Sequence, residues 1–182
     1  MTRTPTCVLI AAVCTLGVTA TACSSGGHSS ATSNGRGCSA VFIAPFDRVD
    51  ACSAESVMTA ALTTAFSYRP AEQITAHAAF DTAAPLMDST FAARAEPAAA
   101  VLAPITPVMW QRWAEHGVTV TASVRVTGDE HPPDTATDAA RVLAVTQRPS
   151  DNSPPIEFTV YARAGRSGPG KAWRITQLEV KT

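Results

Sequence analysis

The stretch VTVTASVRV, residues 118–126, alternates strictly between apolar and polar side chains. The apolar face carries Val118, Val120, Ala122, Val124 and Val126. Threonine, serine and arginine occupy the other face. A period of two residues is the repeat of a β-strand, so the stretch predicts a strand with one face on the core and one face in water.

Three more strands are predicted downstream. They are ARVLAVTQR (residues 140–148), IEFTVYARA (156–164) and AWRITQLEV (172–180). The first of these three is apolar on both faces, so we expect it to be central in the sheet. In the last, the apolar residues change parity between Ile175 and Leu178, which predicts a β-bulge that bends the sheet.

Helices are predicted upstream of the strands. Residues 53–67 repeat apolar side chains at helical spacing, and Ser53 is a suitable N-cap. Weaker helical patterns cover Glu72–Ala84 and Leu86–Arg94, and a helix capped by Thr106 carries Trp110 and Trp113 on one apolar face. Helices followed by four antiparallel strands predict an α+β fold, with the helices packed on the concave face of a curved sheet.

The first 22 residues have the pattern of a secretory signal peptide. Arg3 supplies a positive charge, and residues 7–18 are apolar but too short to span a bilayer, which needs about 20 residues. Ala20-Thr21-Ala22 ends the pattern with small residues. Signal peptidase is therefore expected to cut before Cys23.

The tetrapeptide ATAC that ends at Cys23 resembles a bacterial lipobox, although Ala20 stands where Leu, Val or Ile is usual. The resemblance implies that Cys23 is diacylated and holds the protein at the outer face of the cytoplasmic membrane. Residues 23–37 are then a flexible tether, rich in Ser and Gly. Secretion without lipid and an uncleaved cytoplasmic protein are the two alternatives.

Two cysteines remain after Cys23, and an even number in an oxidising compartment favours a disulfide. A Cys38–Cys52 bond would close a loop of about 15 residues and stabilise the fold by about 3 kcal/mol. Two unpaired buried thiols are the alternative. The loop is apolar, and we expect four of its residues to pack on a single domain spanning 38–182: Val41, Phe42, Ile43 and Phe46.

Composition limits the partners. Without residues 1–22 the chain has 13 basic and 15 acidic residues, a formal charge of −2. No basic face stands out, so nucleic acid is not an expected partner. No second apolar stretch is long enough to span a bilayer, so lipid on Cys23 would be the membrane anchor.

Four segments resemble the NTF2-like superfamily, and in particular extracytoplasmic domains of actinobacterial envelope proteins such as the Mce-associated and the VirB8-like or TcpC-like proteins. They are AALTTAFSYRP (60–70), TAHAAFDTAAPLM (75–87), the Trp110/Trp113 helix and AWRITQLEV (172–180). The resemblance implies a cone-shaped domain and a non-enzymatic accessory or assembly role with other envelope proteins. Relatives of that kind mostly use a transmembrane helix, whereas this chain is expected to use lipid.

The resemblance also directs attention to a pocket inside the cone. The candidate pocket residues are Trp110, Trp113, Phe158, Tyr161, His77 and Asp81. The aromatic side chains either close a core or line a site for a small molecule or lipid, which would make the protein a carrier. His77 and Asp81 lie at i, i+4 on one helix face; they are either a surface pair or the acid–base pair of a SnoaL-like enzyme.

Motifs for other chemistry are lacking in the sequence. It contains no G-x-S-x-G, no H-E-x-x-H and no phosphate-binding glycine loop, so an enzyme is not the expected class and no cofactor or metal is predicted. Four carboxylates cluster in the longest loop: Asp129, Glu130, Asp134 and Asp138. Their spacing is not that of an EF-hand, and we expect the loop to be solvated.

Overall fold

The alternating stretch forms strand β1, Val120–Val126, in a computed structural model that describes residues 38–181. Val120 and Ala122 are buried, whereas Thr121, Ser123 and Arg125 are exposed, as the alternation predicts. The strand begins two residues later than predicted, because the backbone N–H of Val118 donates to the carbonyl of Trp113, 2.9 Å away, in the preceding helix. The signal peptide, Cys23 and the tether lie outside the described residues.

Four strands form one antiparallel sheet in the order β1-β2-β3-β4. The later strands are β2 (Asp138–Pro149), β3 (Ile156–Gly165) and β4 (Arg174–Lys181). Strand β2 lies between β1 and β3, so the prediction of a central strand is confirmed. With helices preceding the sheet, the α+β class is also confirmed.

The predicted β-bulge is present in β4. Arg163 pairs with Gln177, but the next residue of β3, Ala164, pairs with Ile175, which leaves Thr176 as the extra residue. The extra residue reverses the parity, so that apolar side chains on both sides of it turn to the same face of the sheet. Ile175 is fully buried there, and Leu178 packs against the same core.

Helix α1, Ala54–Ala65, covers that face and contacts all four strands. Ser53 caps it by accepting a hydrogen bond from the backbone N–H of Ser56 at 3.2 Å. The predicted apolar stripe is the buried one: Ala54, Val57, Met58, Ala61, Leu62 and Ala65. Packing of this stripe against the inner face of the sheet forms the centre of the core.

The later helices are short. They are α2 (His77–Ala83), α3 (Ser89–Ala95) and α4 (Pro107–Glu115), with 3₁₀ helices at Ala84–Leu86 and Glu96–Val101. Helix α2 begins five residues later than predicted, because Gln73 closes a turn by accepting from the backbone N–H of Arg69 at 2.8 Å. Thr106 caps α4 as predicted, and Gly117 ends it with a positive φ of 62°, which favours glycine. No helix within residues 38–181 is long and apolar enough to cross a membrane.

The Cys38–Cys52 disulfide forms, with Cα atoms 5.9 Å apart. It closes a segment, residues 38–52, that we call the disulfide loop. Phe42 and Phe46 are buried, as expected for the loop. The expectation that Val41 and Ile43 also pack on the domain is wrong, because neighbouring residues in an extended segment point in opposite directions, and these two face solvent.

Removal of the disulfide tests its contribution to stability. Replacing both cysteines, Cys38→Ser with Cys52→Ser, is expected to lower the free energy of unfolding by about 3 kcal/mol, since the unfolded chain regains the freedom of a 15-residue loop. Chemical denaturation gives the value. Reduced wild-type protein should lose the same amount, and the double variant should not respond to reductant. An unchanged midpoint for both would contradict the prediction.

Candidate functional site

Two of the predicted pocket residues belong to the core. Trp113 and Phe158 are buried in the main hydrophobic cluster. Phe158 packs edge-on against Phe66 at the end of α1, with ring centroids 5.0 Å apart. These aromatic side chains fill space between the helices and the sheet.

Trp110, one turn before Trp113, lines a surface groove instead. The groove has a volume of about 260 Å³ and lies between the chain before α2, the second 3₁₀ helix and the first turn of α4. We call it the Trp110 groove, with apolar walls formed mainly by Ile74, Val101, Ile105 and Trp110. Ile74 is 94% exposed and Val101 is 78% exposed, so two large apolar side chains stand in solvent at its rim.

Local sequence explains why the groove is open. Ala100 and Ala103 lie in its walls, and their small side chains leave space that larger ones would fill. The Thr106 cap fixes the first turn of α4. Tyr68 packs edge-on against the ring of Trp110, with the ring centroids 5.4 Å apart. Tyr68 itself is buried, and burial raises the pKa of its phenol well above the usual value.

Tyr161 lies on the opposite face of the sheet. In β3, Phe158 and Val160 face the helices, so Tyr161 points outward and is 48% exposed. It lines a cavity of about 310 Å³ with Val142 and His131, under the long loop that connects β1 to β2. The aromatic candidate residues are therefore divided between the core, the surface of helix α4 and the outer face of the sheet.

His77 and Asp81 form the expected pair, with His77 Nδ1 3.2 Å from a carboxylate oxygen of Asp81. Sequence reasoning missed the third member. The second ring nitrogen, Nε2, lies 3.2 Å from Glu96 in the second 3₁₀ helix. Both carboxylates are more than half exposed, so each of the two contacts of His77 is a solvent-exposed pair, and the one with Glu96 joins α2 to the 3₁₀ helix. An exposed pair of this kind contributes about 0–1 kcal/mol to stability.

A second ionic cluster was also missed. Arg141 on β2 is buried and points toward the helices; its Nη1 and Nη2 donate to the two carboxylate oxygens of Asp134 at 2.6 and 2.7 Å. Its Nε donates to Glu55 in the first turn of α1 at 2.7 Å. One of the four loop carboxylates is thus a structural partner, which corrects the expectation of a fully solvated loop.

The hydrogen bonds from Arg141 hold the pKa of Asp134 below its usual value of 3.8. The same bonds raise the pKa of Arg141, which stays charged. This cluster joins the β1–β2 loop, the sheet and the start of α1. The sequence did contain a sign that Arg141 faces inward. Alternate residues of a strand face the same side, and Arg141 alternates with Leu143 and Val145, which are buried.

Gln147, also on β2, is fully buried and was not singled out from the sequence. Its Nε2 donates to the carbonyl of Phe66 at 2.7 Å, at the end of α1 where helical carbonyls lack partners. Its Oε1 has no hydrogen-bond partner among the described residues. The amide thus fixes the end of α1 on the sheet.

Within residues 38–181, no group of three or more His, Cys, Asp or Glu side chains is arranged to hold a metal ion. Searches against protein-family models, curated proteins and solved structures found no match to this chain. Among the described residues, the Trp110 groove is a concave feature that offers an apolar surface to another molecule.

The Arg141 cluster yields a pH-dependent prediction. Arg141→Met should lower the free energy of unfolding at pH 7 by about 1–3 kcal/mol, because two carboxylates lose charged donors. Asp134 has a lowered folded-state pKa, so its contribution is complete above the unfolded pKa and is lost as pH falls through the folded pKa. The difference between wild type and variant should therefore shrink below about pH 4.

Arg163→Met provides the control for this experiment. Arg163 is an exposed arginine on β3 that takes part in no ion pair among residues 38–181. This variant should stay within about 0.5 kcal/mol of wild type in denaturation curves at every pH. A gap between Arg141→Met and wild type that is the same at pH 7 and pH 3 would contradict the assigned role of Asp134.

Proposed function

We propose that this protein is an extracytoplasmic lipoprotein of the bacterial cell envelope, held by lipid on Cys23 at the outer face of the cytoplasmic membrane. In this proposal it is a non-enzymatic accessory or assembly module of a transport or conjugation apparatus. It binds an apolar segment of another envelope protein in the Trp110 groove. The observation that carries the binding role is the pair of exposed apolar side chains, Ile74 and Val101, beside a half-buried tryptophan.

Exposed apolar side chains are costly unless something covers them. Single ones are common on protein surfaces, but a cluster rimmed by polar residues marks an interaction site. Tryptophan is also among the residues that contribute most to protein–protein binding. Trp110 is already positioned by Tyr68, so little side-chain entropy is lost when a partner binds.

The size of the groove favours a protein partner over a carried small molecule. Sites for small molecules usually enclose about 300–1,000 Å³. The Trp110 groove, at about 260 Å³, lies at the lower edge of this range and is open to solvent, which suits one or two apolar side chains of a peptide segment. The carrier alternative required a chamber lined by Trp110 and Phe158, and Phe158 is packed in the core instead.

The NTF2-like assignment is part of the same proposal. One four-stranded antiparallel sheet preceded by helices is compatible with it, and so is the bulge that bends β4. The resemblance of residues 60–70 and 75–87 to envelope proteins of that superfamily supports the assembly role.

Lipid attachment is tested by metabolic labelling with palmitate. We expect the wild-type protein to be labelled and to stay with membranes. Cys23→Ser should lose the label and be released, because the acyl chains supply the membrane affinity. Cys38→Ser serves as the control for a cysteine change and should remain labelled. A Cys23→Ser variant that stays labelled and membrane-bound would refute the anchor.

The groove is tested by photo-crosslinking in intact cells. The crosslinking amino acid p-benzoylphenylalanine at position 101 should form an adduct with an apolar segment of an extracytoplasmic protein, identified by mass spectrometry. Adding Ile74→Asp should reduce that adduct by at least about tenfold, because a carboxylate replaces apolar surface worth about 1.5 kcal/mol or more.

The same probe at position 41, where the residue is equally exposed but lies in the disulfide loop, is the matched control. It should not give that protein adduct. If both positions capture the same segment, or if Ile74→Asp has no effect, the groove is not the binding site.

A further inference from the structure

The disulfide loop presents a second exposed apolar surface, at a different place from the Trp110 groove. Val41 is 80% exposed and Ile43 is 83% exposed, on either side of the buried Phe42. A turn follows, in which the backbone N–H of Phe46 donates to the carbonyl of Ile43 at 2.9 Å. Two aliphatic side chains therefore project from the tip of the loop.

The tip is held in this position and is not free to collapse onto the domain. The guanidinium of Arg174 lies over the ring of Phe42, with 5.3 Å between the Cζ of Arg174 and the ring centroid. At the base, the indole N–H of Trp173 donates to the carbonyl of Cys52 at 3.1 Å, and the backbone N–H of Trp173 donates to Ala51 at 2.9 Å. With the disulfide, these contacts keep Val41 and Ile43 turned outward.

Cationic side chains stand beside the loop. Arg166, Lys171 and Arg174 line a cleft of about 740 Å³. None of them takes part in an ion pair among residues 38–181. Arg166 donates to two backbone carbonyls and lies over Trp173, with 4.4 Å between its Cζ and the ring centroid.

Two carboxylates share the cleft, and both are engaged within their own turns. Asp88 accepts from the backbone N–H groups of Thr90 and Phe91 as the cap of α3. Asp138 accepts from the hydroxyl of Thr137 at 2.7 Å. Arg166 and Arg174 each give part of their hydrogen-bonding capacity to backbone carbonyls, whereas no side-chain hydrogen bond holds the Lys171 ammonium within residues 38–181. The Lys171 ammonium and the remaining guanidinium N–H groups are thus available to an external anion.

The short connection between Cys23 and the disulfide loop indicates which partner this surface contacts. Cys38, at the base of the loop, has its Sγ 3.9 Å from the carbonyl oxygen of Lys171. Only 14 residues separate Cys38 from Cys23. A flexible chain of that length has an end-to-end distance of about 20 Å, so lipid on Cys23 would keep this end of the domain at the bilayer.

We infer that the tip of the disulfide loop, Val41 and Ile43, enters the interfacial region of the phospholipid bilayer, with Lys171 and Arg174 at the level of the lipid phosphates. The inference rests on the proposed lipid anchor. It deepens that proposal by giving the domain one orientation on the membrane, because exposed aliphatic side chains and nearby cations are what an interfacial lipid surface accommodates.

The experiment compares two exposed isoleucines in the complete lipidated protein. p-Benzoylphenylalanine is placed at position 43 in one variant and at position 74 in the other, and both are reconstituted in vesicles containing phosphatidylglycerol. After illumination, mass spectrometry counts lipid adducts. Position 43 should give at least about fivefold more lipid adduct than position 74, and adding Val41→Asp should reduce the adduct at 43.

A pair of lysine variants tests the cations. Lys171→Gln should lower the adduct at position 43 by about twofold to fivefold, since one cation near an anionic lipid surface contributes at most about fivefold in binding. Lys181→Gln is the control, because Lys181 pairs with Glu179 at the far end of β4 and should have no effect.

The outcomes separate the inference from the proposal beneath it. Palmitate on Cys23 with equal lipid adducts at positions 43 and 74 would overturn the inference and leave the anchor in place. Adducts at position 43 with a second protein chain in place of lipid would also overturn it. Absence of palmitate would instead refute the anchor.

Discussion

Burial of the apolar stripe of α1 against one face of the sheet is the interaction on which the rest of the structure depends. The stripe contacts all four strands, and its central residues, such as Met58 and Leu62, are fully buried. Two polar side chains of β2 fix the ends of the helix: Arg141 binds Glu55 in its first turn, and Gln147 binds the carbonyl of Phe66 after its last turn. These two hydrogen bonds therefore fix the position of α1 along the sheet, in addition to the apolar packing that holds it there.

The pairing of the strands gives the sheet two ends that differ in what lies beside them. At one end of the sheet, the start of β1 pairs with the end of β2. At the other end, the start of β2 pairs with the end of β3, and the end of β3 pairs with the start of β4. The Trp110 groove lies beside Tyr68, which bridges to the start of β1. The disulfide loop packs on the start of β4. The proposed protein contact and the inferred membrane contact therefore lie at opposite ends of the sheet.

Much of the fold was predictable because its signals are local. Alternation predicts β1, helical spacing and Ser53 predict α1, and the parity change before Leu178 predicts the bulge in β4. The prediction was less accurate at α2, where the Gln73 side chain closes a turn and delays the helix. It was wrong for Val41 and Ile43, because an apolar side chain in a short loop is not necessarily directed at the core.

The sequence by itself determined the class of fold and the order of its elements, since hydrophobic periodicity depends on neighbours along the chain. The even number of cysteines after Cys23 favoured pairing of Cys38 with Cys52 but left unpaired thiols open, and the structure shows the bond. Only the tertiary structure decided which side chains meet. Arg141 and Glu55 are 86 residues apart in sequence, and nothing local connects them. The same holds for His77 with Glu96 and for the walls of the Trp110 groove, because side chains from separate elements come together only when the core packs.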